Sequence, residues 1–170
     1  MKYIATLALL LSVLSIGLTT HGMEDLARIK GYTLKKDIKI TENSPHAKIH
    51  HKASFTFFDT KMHKVCSIIL VHKLTHEGTW IGDLNEISIE EKFQNQGLGT
   101  QAFKHIITYF KDRKCKKFGW SAYPLNFDSP SDKGFDEAQE KLIQWYERQG
   151  GIVDGSFRGA YTTMYYTISE

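Results

Sequence analysis

The segment from residue 87 to residue 110, ISIEEKFQNQGLGTQAFKHIITYF, constrains the fold more than any other part of the chain. A β-branched run leads into a polar elbow, two glycines flank one leucine, and apolar residues then recur at helical spacing. These apolar positions are Ala102, Phe103, Ile106, Ile107 and Phe110. With the strand-like KKFGWSAY that follows, the pattern predicts a strand, a helix over 100–114 and a strand over 117–123. Such a βαβ unit is parallel and right-handed.

The remainder of the chain supplies antiparallel elements around this unit. MEDLARIK predicts a short helix, and YTLKKDIKITE, ASFTFFD, KVCSIILVHKL and TWIGDLNEISIE predict strands, the middle two joined as a hairpin through TKMH. NSPHAKIHH is either a loop or an edge. Asp136 is the expected N-cap of a late helix, EAQEKLIQWYERQ, and a final hairpin closes the chain. We therefore expect a single α+β domain: a mixed, mostly antiparallel sheet with a central βαβ unit flanked by helices.

The N-terminus has a different composition from the rest of the 170 residues. Lys2 precedes YIATLALLLSVLSIGLTT, and the next charge is Glu24. This pattern favours a signal peptide or hydrophobic leader over residues 1–22, followed by the folded domain over 23–170. A membrane anchor, for which the apolar core is short, and a buried first element are the alternatives. The protein is exported or secreted if the leader is a signal peptide, and otherwise cytoplasmic or membrane-tethered; no stable membrane span is expected after leader removal.

The charge, the cysteines and the histidines of the sequence do not indicate nucleic-acid binding, a disulfide framework or a metal site. A net charge of +3 is too small to indicate nucleic-acid binding, which usually needs a basic face. Cys66 and Cys115 form no disulfide pattern and are expected to be free. Histidines cluster at His46, His50 and His51 and at His72 and His76. The last two lie four residues apart along a predicted strand, about 13 Å from each other, so that surface histidines are expected rather than a metal site. KDRKCKK is expected to be a solvated helix end.

The elbow itself carries a possible binding function. The start of a helix exposes amide groups that have no internal partner, and these amides and the helix dipole favour a phosphate group. Gly97 and Gly99 remove two Cβ atoms and permit positive φ. A Walker motif is excluded because no Gly-Lys-Ser/Thr follows, and the dinucleotide pattern is a poor match. The alternative is a plain turn with glycines at the helix start.

The wider segment resembles the acetyl-CoA-binding motif of the GNAT acetyltransferase superfamily, Q/R-x-x-G-x-G/A between a strand and a helix. Gln94, Gly97 and Gly99 match its three fixed places, and Ile89 matches the apolar place at the strand end. KLIQWYERQGG also resembles the late helix of that family. Asn95 and Gln96 depart from the family's usual Gly and Lys or Arg.

The resemblance implies a reaction and a set of residues. The protein would transfer an acetyl group from acetyl-CoA, by direct attack, to an amine acceptor on a protein, a peptide or a small molecule. The main chain at Ile89 would pair with the pantetheine arm, and Tyr146 would protonate the departing thiolate as general acid. The diphosphate would be held by backbone amides of Gln94, Asn95, Gln96, Gly97, Leu98, Gly99 and Thr100.

A base is needed as well, because only a neutral amine attacks a thioester. Asp83 and Glu86 are the candidates on the strand before the elbow, and they point to opposite faces if that strand is regular. Glu86 ranks first because it is nearer the point where the strand would splay from its neighbour, although for each residue taken singly a solvated strand carboxylate is the safer interpretation. The alternative function is an exported, catalytically silent GNAT-fold binding protein or effector that acts through a partner.

Overall fold

A computed structural model describes residues 21–44, 47–124, 126–158 and 161–169. Within these residues the chain forms three α-helices and seven β-strands. The helices are α1 (His21–Lys30), α2 (Leu98–Asp112) and α3 (Phe135–Arg148). The strands are β1 (Thr33–Ser44), β2 (Ala47–Phe58), β3 (Lys64–Leu74), β4 (Trp80–Ile89), β5 (Lys117–Ala122), β6 (Ile152–Arg158) and β7 (Tyr161–Thr167). A 3-10 turn, Glu91–Phe93, lies between β4 and α2.

All seven strands belong to one mixed sheet, in the order β1-β2-β3-β4-β5-β7-β6. Every neighbouring pair is antiparallel except β4 and β5, which are parallel and are connected through α2. The expected α+β class, the mixed sheet and its central βαβ unit are therefore confirmed.

Two predicted boundaries differ from the structure. The segment expected to be a loop or an edge largely belongs to β2, since Ile49 and His50 pair with both β1 and β3; residues 45 and 46 of that segment lie outside the described residues. Helix α2 covers Leu98–Asp112 rather than 100–114, because Gly97 already occupies the N-cap position. Pairing on two sides makes β2 an interior strand, which its polar composition did not indicate.

The core lies between one face of the sheet and the helices. Side chains of β2, β3 and β5 on this face are fully buried with those of α1 and α2; among them are Phe55, Ile68, Leu70, Phe118, Leu26, Phe103 and Ile106. Gly82 on β4 allows α2 to approach closely, because a Cβ there would lie 2.6 Å from the Phe110 ring. We call this side of the sheet the helix face and the other side the open face.

The start of α3 corrects a further prediction. The N-cap is Gly134, at a φ of +88°, and no side chain caps the helix. Asp136 instead lies in the first turn, where its negative charge interacts favourably with the helix dipole. Glycine takes the N-cap position here because the backbone has the left-handed conformation, which aspartate adopts less readily.

Two histidines expected at the surface are buried instead. His51 and His72 are each 1% exposed, and their ring centroids lie 4.4 Å apart on neighbouring strands β2 and β3. No described residue is hydrogen-bonded to any of their four ring nitrogens. Burial is the main cause that lowers the pKa of His51 to about 4 and that of His72 to about 2. His46 lies outside the described residues, whereas His76 is exposed as expected.

The basic segment after α2 is only partly solvated. Arg113 is 1% exposed, its guanidinium carbon lies 3.5 Å from the centroid of the Tyr109 ring, and its Nη1 donates to the Tyr109 carbonyl at 3.1 Å. Cys115 is buried too, whereas the neighbouring lysines are exposed. Both cysteines are free, as expected. No helix in the described ranges is both long and apolar enough to cross a membrane; residues 1–20 of the predicted leader lie outside those ranges.

Candidate active site

Strands β4 and β5 separate soon after they meet. Their parallel pairing is confined to Gly82 with Phe118 and Asp83 with Gly119. Beyond this point β4 continues to pair with β3 as far as Ile89, and β5 continues to pair with β7 as far as Ala122. A wedge-shaped opening, the β4–β5 split, therefore divides the sheet, and the inner edge of β4 is unpaired along it.

The elbow after β4 lies at the wide end of this split. Asn95 and Gly97 both have left-handed backbone, with φ of +59° and +73°. No side chain caps α2, and its first turn closes with the Gln101 amide donating to the Gly97 carbonyl at 3.1 Å. The amides between Gln94 and Gln101 are thus the donors that a helix start leaves without an internal partner. The Gln94 amide itself donates to the Glu91 carbonyl at 3.0 Å, which corrects its expected place among the diphosphate donors. Left-handed residues within such a turn gather successive amides into a concavity suited to an anion.

The two glycines of the elbow have different roles. A Cβ on Gly97 would contact nothing within 4 Å, so this glycine serves the positive φ. A Cβ on Gly99 would lie 3.3 Å from both Ile89 Cδ1 and Trp145 Cζ2. The expectation that both glycines clear the approach of a ligand is therefore corrected for Gly99, whose missing side chain gives room for packing.

Gln94 ties the elbow to the end of β4. Its side-chain amide donates to the main-chain carbonyl of Ile89 at 3.0 Å. Gln96 makes a comparable bond within the elbow, from its side-chain amide to the Lys92 carbonyl at 2.9 Å. These bonds fix the loop that carries the free amides relative to the strand that carries Ile89.

Tyr146 is buried beside the split, on the helix face. It is 5% exposed and packs against Trp120 and Trp145, with ring centroids at 4.9 and 4.8 Å. Trp120 is the residue of β5 that follows the last β4–β5 pair. Burial raises the pKa of the Tyr146 hydroxyl well above its ordinary value, so the phenol stays protonated. Tyr146 is thus a buried, neutral phenol rather than a solvated helix side chain.

A β-bulge brings Asp83 and Glu86 to the same face of the sheet, which corrects the expectation of opposite faces. Leu84 pairs with Leu70 and Glu86 with Ile69, so Asn85 is the extra residue. Both carboxylates therefore lie on the open face, as Val71 and Ile69 do on β3. Asp83 forms an ion pair with Lys73, and Glu86 accepts a hydrogen bond from Ser67 Oγ at 2.7 Å.

Sequence reasoning missed the partners of these carboxylates. Ser67 and Lys73 lie on the same alternating face of β3, a pattern visible in the sequence, but the register with β4 was not. It also missed Trp120, which is 5% exposed and whose indole nitrogen has no hydrogen-bond partner among the described residues. Within the described residues, no group of three or more His, Cys, Asp or Glu side chains is arranged so that it could hold a metal ion.

Comparisons with known proteins agree with this architecture. The sequence model of the acetyltransferase (GNAT) family matches residues 23–131. A search of curated proteins found no significant match. Arabidopsis thaliana Naa50, solved in complex with the bisubstrate analogue CoA-Ac-MVNAL, aligns at 10% identity over 67% of this chain and 72% of its own, with a TM-score of 0.51. The NatC complex, solved bound to Gag peptide and CoA, also gives 10% identity and a TM-score of 0.51, over 68% and 71% of the two chains.

Spermidine/spermine N-acetyltransferase SpeG from Vibrio cholerae aligns with this chain at 14% identity, with a TM-score of 0.48. The alignment covers 68% of this chain and 65% of SpeG, so this chain spans slightly less than two thirds of that protein. At such low sequence identities, the likeness to solved structures shows a shared fold and nothing about substrates.

Proposed function

Because the chain belongs to the GNAT acetyltransferase family, we propose that it transfers an acetyl group from acetyl-CoA to an amine acceptor. The observation that carries the proposal is the uncapped start of α2, with its left-handed Asn95 and Gly97, at the wide end of the β4–β5 split. The free amides of the elbow, which we call the amide seat, can bind an anion, and the unpaired edge of β4 lies next to them. Together they suit a ligand with a diphosphate at one end and amide groups along its arm.

The donor is held by backbone rather than by charged side chains. The amides of residues 95–100 bind the diphosphate, and the main chain at Ile89 pairs with the pantetheine arm. Lys92 Nζ lies 4.9 Å from the centroid of the Phe93 ring, which keeps one cation close to the elbow. Binding by backbone amides, with few charged side chains, suits acetyl-CoA as a cosubstrate, because the product CoA must dissociate after each turnover.

The chemical step follows from what acyl transfer requires. The amine nitrogen forms a bond to the acyl carbon, the carbon–sulfur bond breaks, and the thiolate takes a proton from the Tyr146 hydroxyl. The Tyr146 hydroxyl carries its proton at neutral pH, as any tyrosine does, so a proton is present when the thiolate departs. Burial raises the pKa of this phenol and makes it a weaker acid, so its contribution rests on its position rather than on its acidity. The proton lost by the amine goes to a carboxylate, for which Asp83 and Glu86 are the candidates.

The acceptor is an amine on a peptide, a protein or a small molecule. A lysine-type amine with a pKa near 10.4 costs about 4 to 5 kcal/mol to deprotonate at pH 7, whereas an α-amine near 8 costs about 1 kcal/mol. An α-amine therefore makes the smaller demand on the base. The amines and peptides bound or acetylated by the related proteins are ligands of those proteins, and here they only guide the choice of compounds to assay.

The test is acetyl transfer by the purified protein against pooled peptides, polyamines, aminoglycosides and amino acids, with products identified by mass. Transfer to at least one amine, dependent on acetyl-CoA, is the expected result. A protein that binds acetyl-CoA but acetylates no amine would contradict the enzymatic function.

The second candidate is an exported GNAT-fold protein that is catalytically silent and acts through a partner. The apolar leader favours it, because acetyl-CoA is an intracellular metabolite. The side chains of Ile89 and Trp145 also pack closely around Gly99. Such packing is compatible with a donor site that is occupied by the protein's own side chains and does not admit acetyl-CoA. N-terminal mass analysis of the mature protein tests the proposed division into a leader over 1–22 and a domain over 23–170: a chain that begins near residue 23 supports export, and an intact Met1 contradicts it.

A further inference from the structure

From the hydrogen bond between them, we infer that Ser67 is the positioning residue of the catalytic base and that Glu86, not Asp83, is that base. The inference rests on the proposed acyl transfer and adds to it a residue on β3, outside the segment that carries the acetyl-CoA motif. Ser67 Oγ donates to Glu86 Oε1 at 2.7 Å, and both side chains are partly buried.

The register of β3 and β4 creates this contact. Ser67 pairs with Ser88, and Ile69 pairs with Glu86, so Ser67 lies diagonally from Glu86 on the open face. Without the extra residue Asn85, a regular alternation would direct Glu86 to the helix face, away from Ser67. The bulge thus brings a carboxylate to the open face beyond the last β4–β5 pair and gives it a hydrogen-bond donor.

Asp83 is engaged differently. Its carboxylate forms an ion pair with Lys73, whose ammonium group neutralises it. A base must accept a proton from an amine, and at Asp83 that amine would have to displace the Lys73 ammonium group. Asp83 also lies within the last paired step of β4 and β5, whereas Glu86 lies beyond it, where the strands have separated. Both differences favour Glu86.

A hydroxyl partner gives Glu86 orientation without neutralising its charge. Ser67 occupies Oε1, which leaves Oε2 as the atom that we assign to the amine proton. Fixing the carboxylate plane in this way lowers the entropic cost of reaching the reactive geometry. Ser67 does not contact the reacting atoms, and it acts through Glu86 alone.

The two proton-transfer groups then lie on opposite sides of the sheet. Glu86 is on the open face and Tyr146 on the helix face, with the split between them. The acceptor amine approaches from the open face and loses its proton to Oε2 as the nitrogen–carbon bond forms. The thiolate released when the carbon–sulfur bond breaks is protonated by Tyr146 from the helix face. Charges and protons balance, because one proton is taken up by Glu86 and one is given by Tyr146.

The experiment compares kcat and the acceptor KM for wild type, Ser67→Ala, Ser67→Thr and Ser54→Ala, with an acceptor from the amine panel. Ser67→Ala is expected to lower kcat about tenfold or more, the usual cost of losing a hydrogen bond to a charged group. The acceptor KM should change little, because Ser67 orients the base and does not contact the reacting atoms. Ser67→Thr keeps the hydroxyl and should restore kcat.

Ser54→Ala is the matched control, because Ser54 lies on the same open face, on β2, and β3 separates it from Glu86. It should keep the wild-type kcat and KM, and calorimetry should show an unchanged acetyl-CoA affinity for all variants. Active wild type with an unchanged kcat in Ser67→Ala would overturn the role of Ser67. Glu86→Gln that keeps full activity, or Asp83→Asn that loses it, would overturn the choice of base. Wild type that acetylates no amine would remove the proposed function itself, and this inference with it.

Discussion

The side-chain amide of Gln94 donates a hydrogen bond of 3.0 Å to the main-chain carbonyl of Ile89, so the elbow and the end of β4 hold each other in place. The two residues belong to the two parts of the proposed donor site, the diphosphate seat and the strand edge for the pantetheine arm. One hydrogen bond thereby sets the spacing between them.

Loss of this bond should weaken donor binding. We expect Gln94→Ala to reduce the acetyl-CoA affinity about three- to tenfold, which corresponds to the net value of one hydrogen bond. Gln96→Ala is the control, since the Gln96 amide bonds only to the Lys92 carbonyl inside the elbow, and its effect should be smaller. Titration calorimetry measures both, and equal losses would contradict a specific role for Gln94.

Gly99 and Gly97 should respond differently to alanine. In Gly99→Ala the new Cβ meets Ile89 and Trp145 at 3.3 Å, and we expect a loss of about 1 kcal/mol in the free energy of unfolding. Ile89→Val removes the Cδ1 atom and should recover part of that loss. In Gly97→Ala the new Cβ meets no neighbour, and the cost of about 1 kcal/mol comes from the positive φ, so that Ile89→Val should not reduce it.

Urea unfolding of the four variants checks this difference. Recovery by Ile89→Val in both alanine backgrounds, or in neither, would contradict the distinction between a packing glycine and a conformational one.

Tyr146→Phe should separate chemistry from binding. Removing the hydroxyl takes away the proposed general acid, and kcat should fall about 100-fold or more, while the acetyl-CoA affinity changes little because the ring remains packed against Trp120 and Trp145. Tyr109→Phe is the control, since Tyr109 is also buried but contacts Arg113 near the C-terminal end of α2. Unchanged turnover in Tyr146→Phe would exclude the acid role.

The buried histidine pair should make the protein acid-sensitive. The pKa values of His51 and His72, about 4 and about 2, lie below the ordinary value of 6.5 that both regain on unfolding. The unfolded chain therefore binds more protons below pH 6.5. Stability is fully present above that pH and is lost progressively as the pH falls toward 4, by roughly 2 kcal/mol per histidine at pH 5.

Urea unfolding at pH 7.5 and at pH 5 measures the effect. A double variant, His51→Leu with His72→Leu, should lose most of the difference between the two pH values, whereas His76→Gln, at an exposed position, should keep it. A double variant with the wild-type pH dependence would assign the acid sensitivity to other groups.

Local sequence patterns predicted most of the fold. Helical spacing from Ala102 to Phe110 and the β-branched runs around it identified the βαβ unit, because these periods follow directly from the geometry of helices and strands. The elbow was found for the same reason, since glycine spacing at a strand-to-helix turn is local. The polar start of β2 was predicted only as a loop or an edge. Its place as an interior strand comes from pairing on both sides, which no local pattern encodes.

The open face of the candidate site could not be predicted. One extra residue, Asn85, reverses the direction of Glu86, and a bulge of this kind leaves no reliable mark on composition. Burial of His51 and His72 likewise depends on which strands become neighbours. Contacts across strands, such as Ser67 with Glu86, appear only once the register is known.

The central claim is that the backbone of the elbow binds the diphosphate of acetyl-CoA. Calorimetric titration of acetyl-CoA into the wild-type protein and into Gly97→Glu tests it most directly, because that change places a carboxylate at the amide seat while Gly97 has no neighbour within 4 Å to disturb. We predict saturable binding at one site in the wild type and its loss in a folded Gly97→Glu variant. No binding by the wild type, or equal binding by the variant, would contradict the claim.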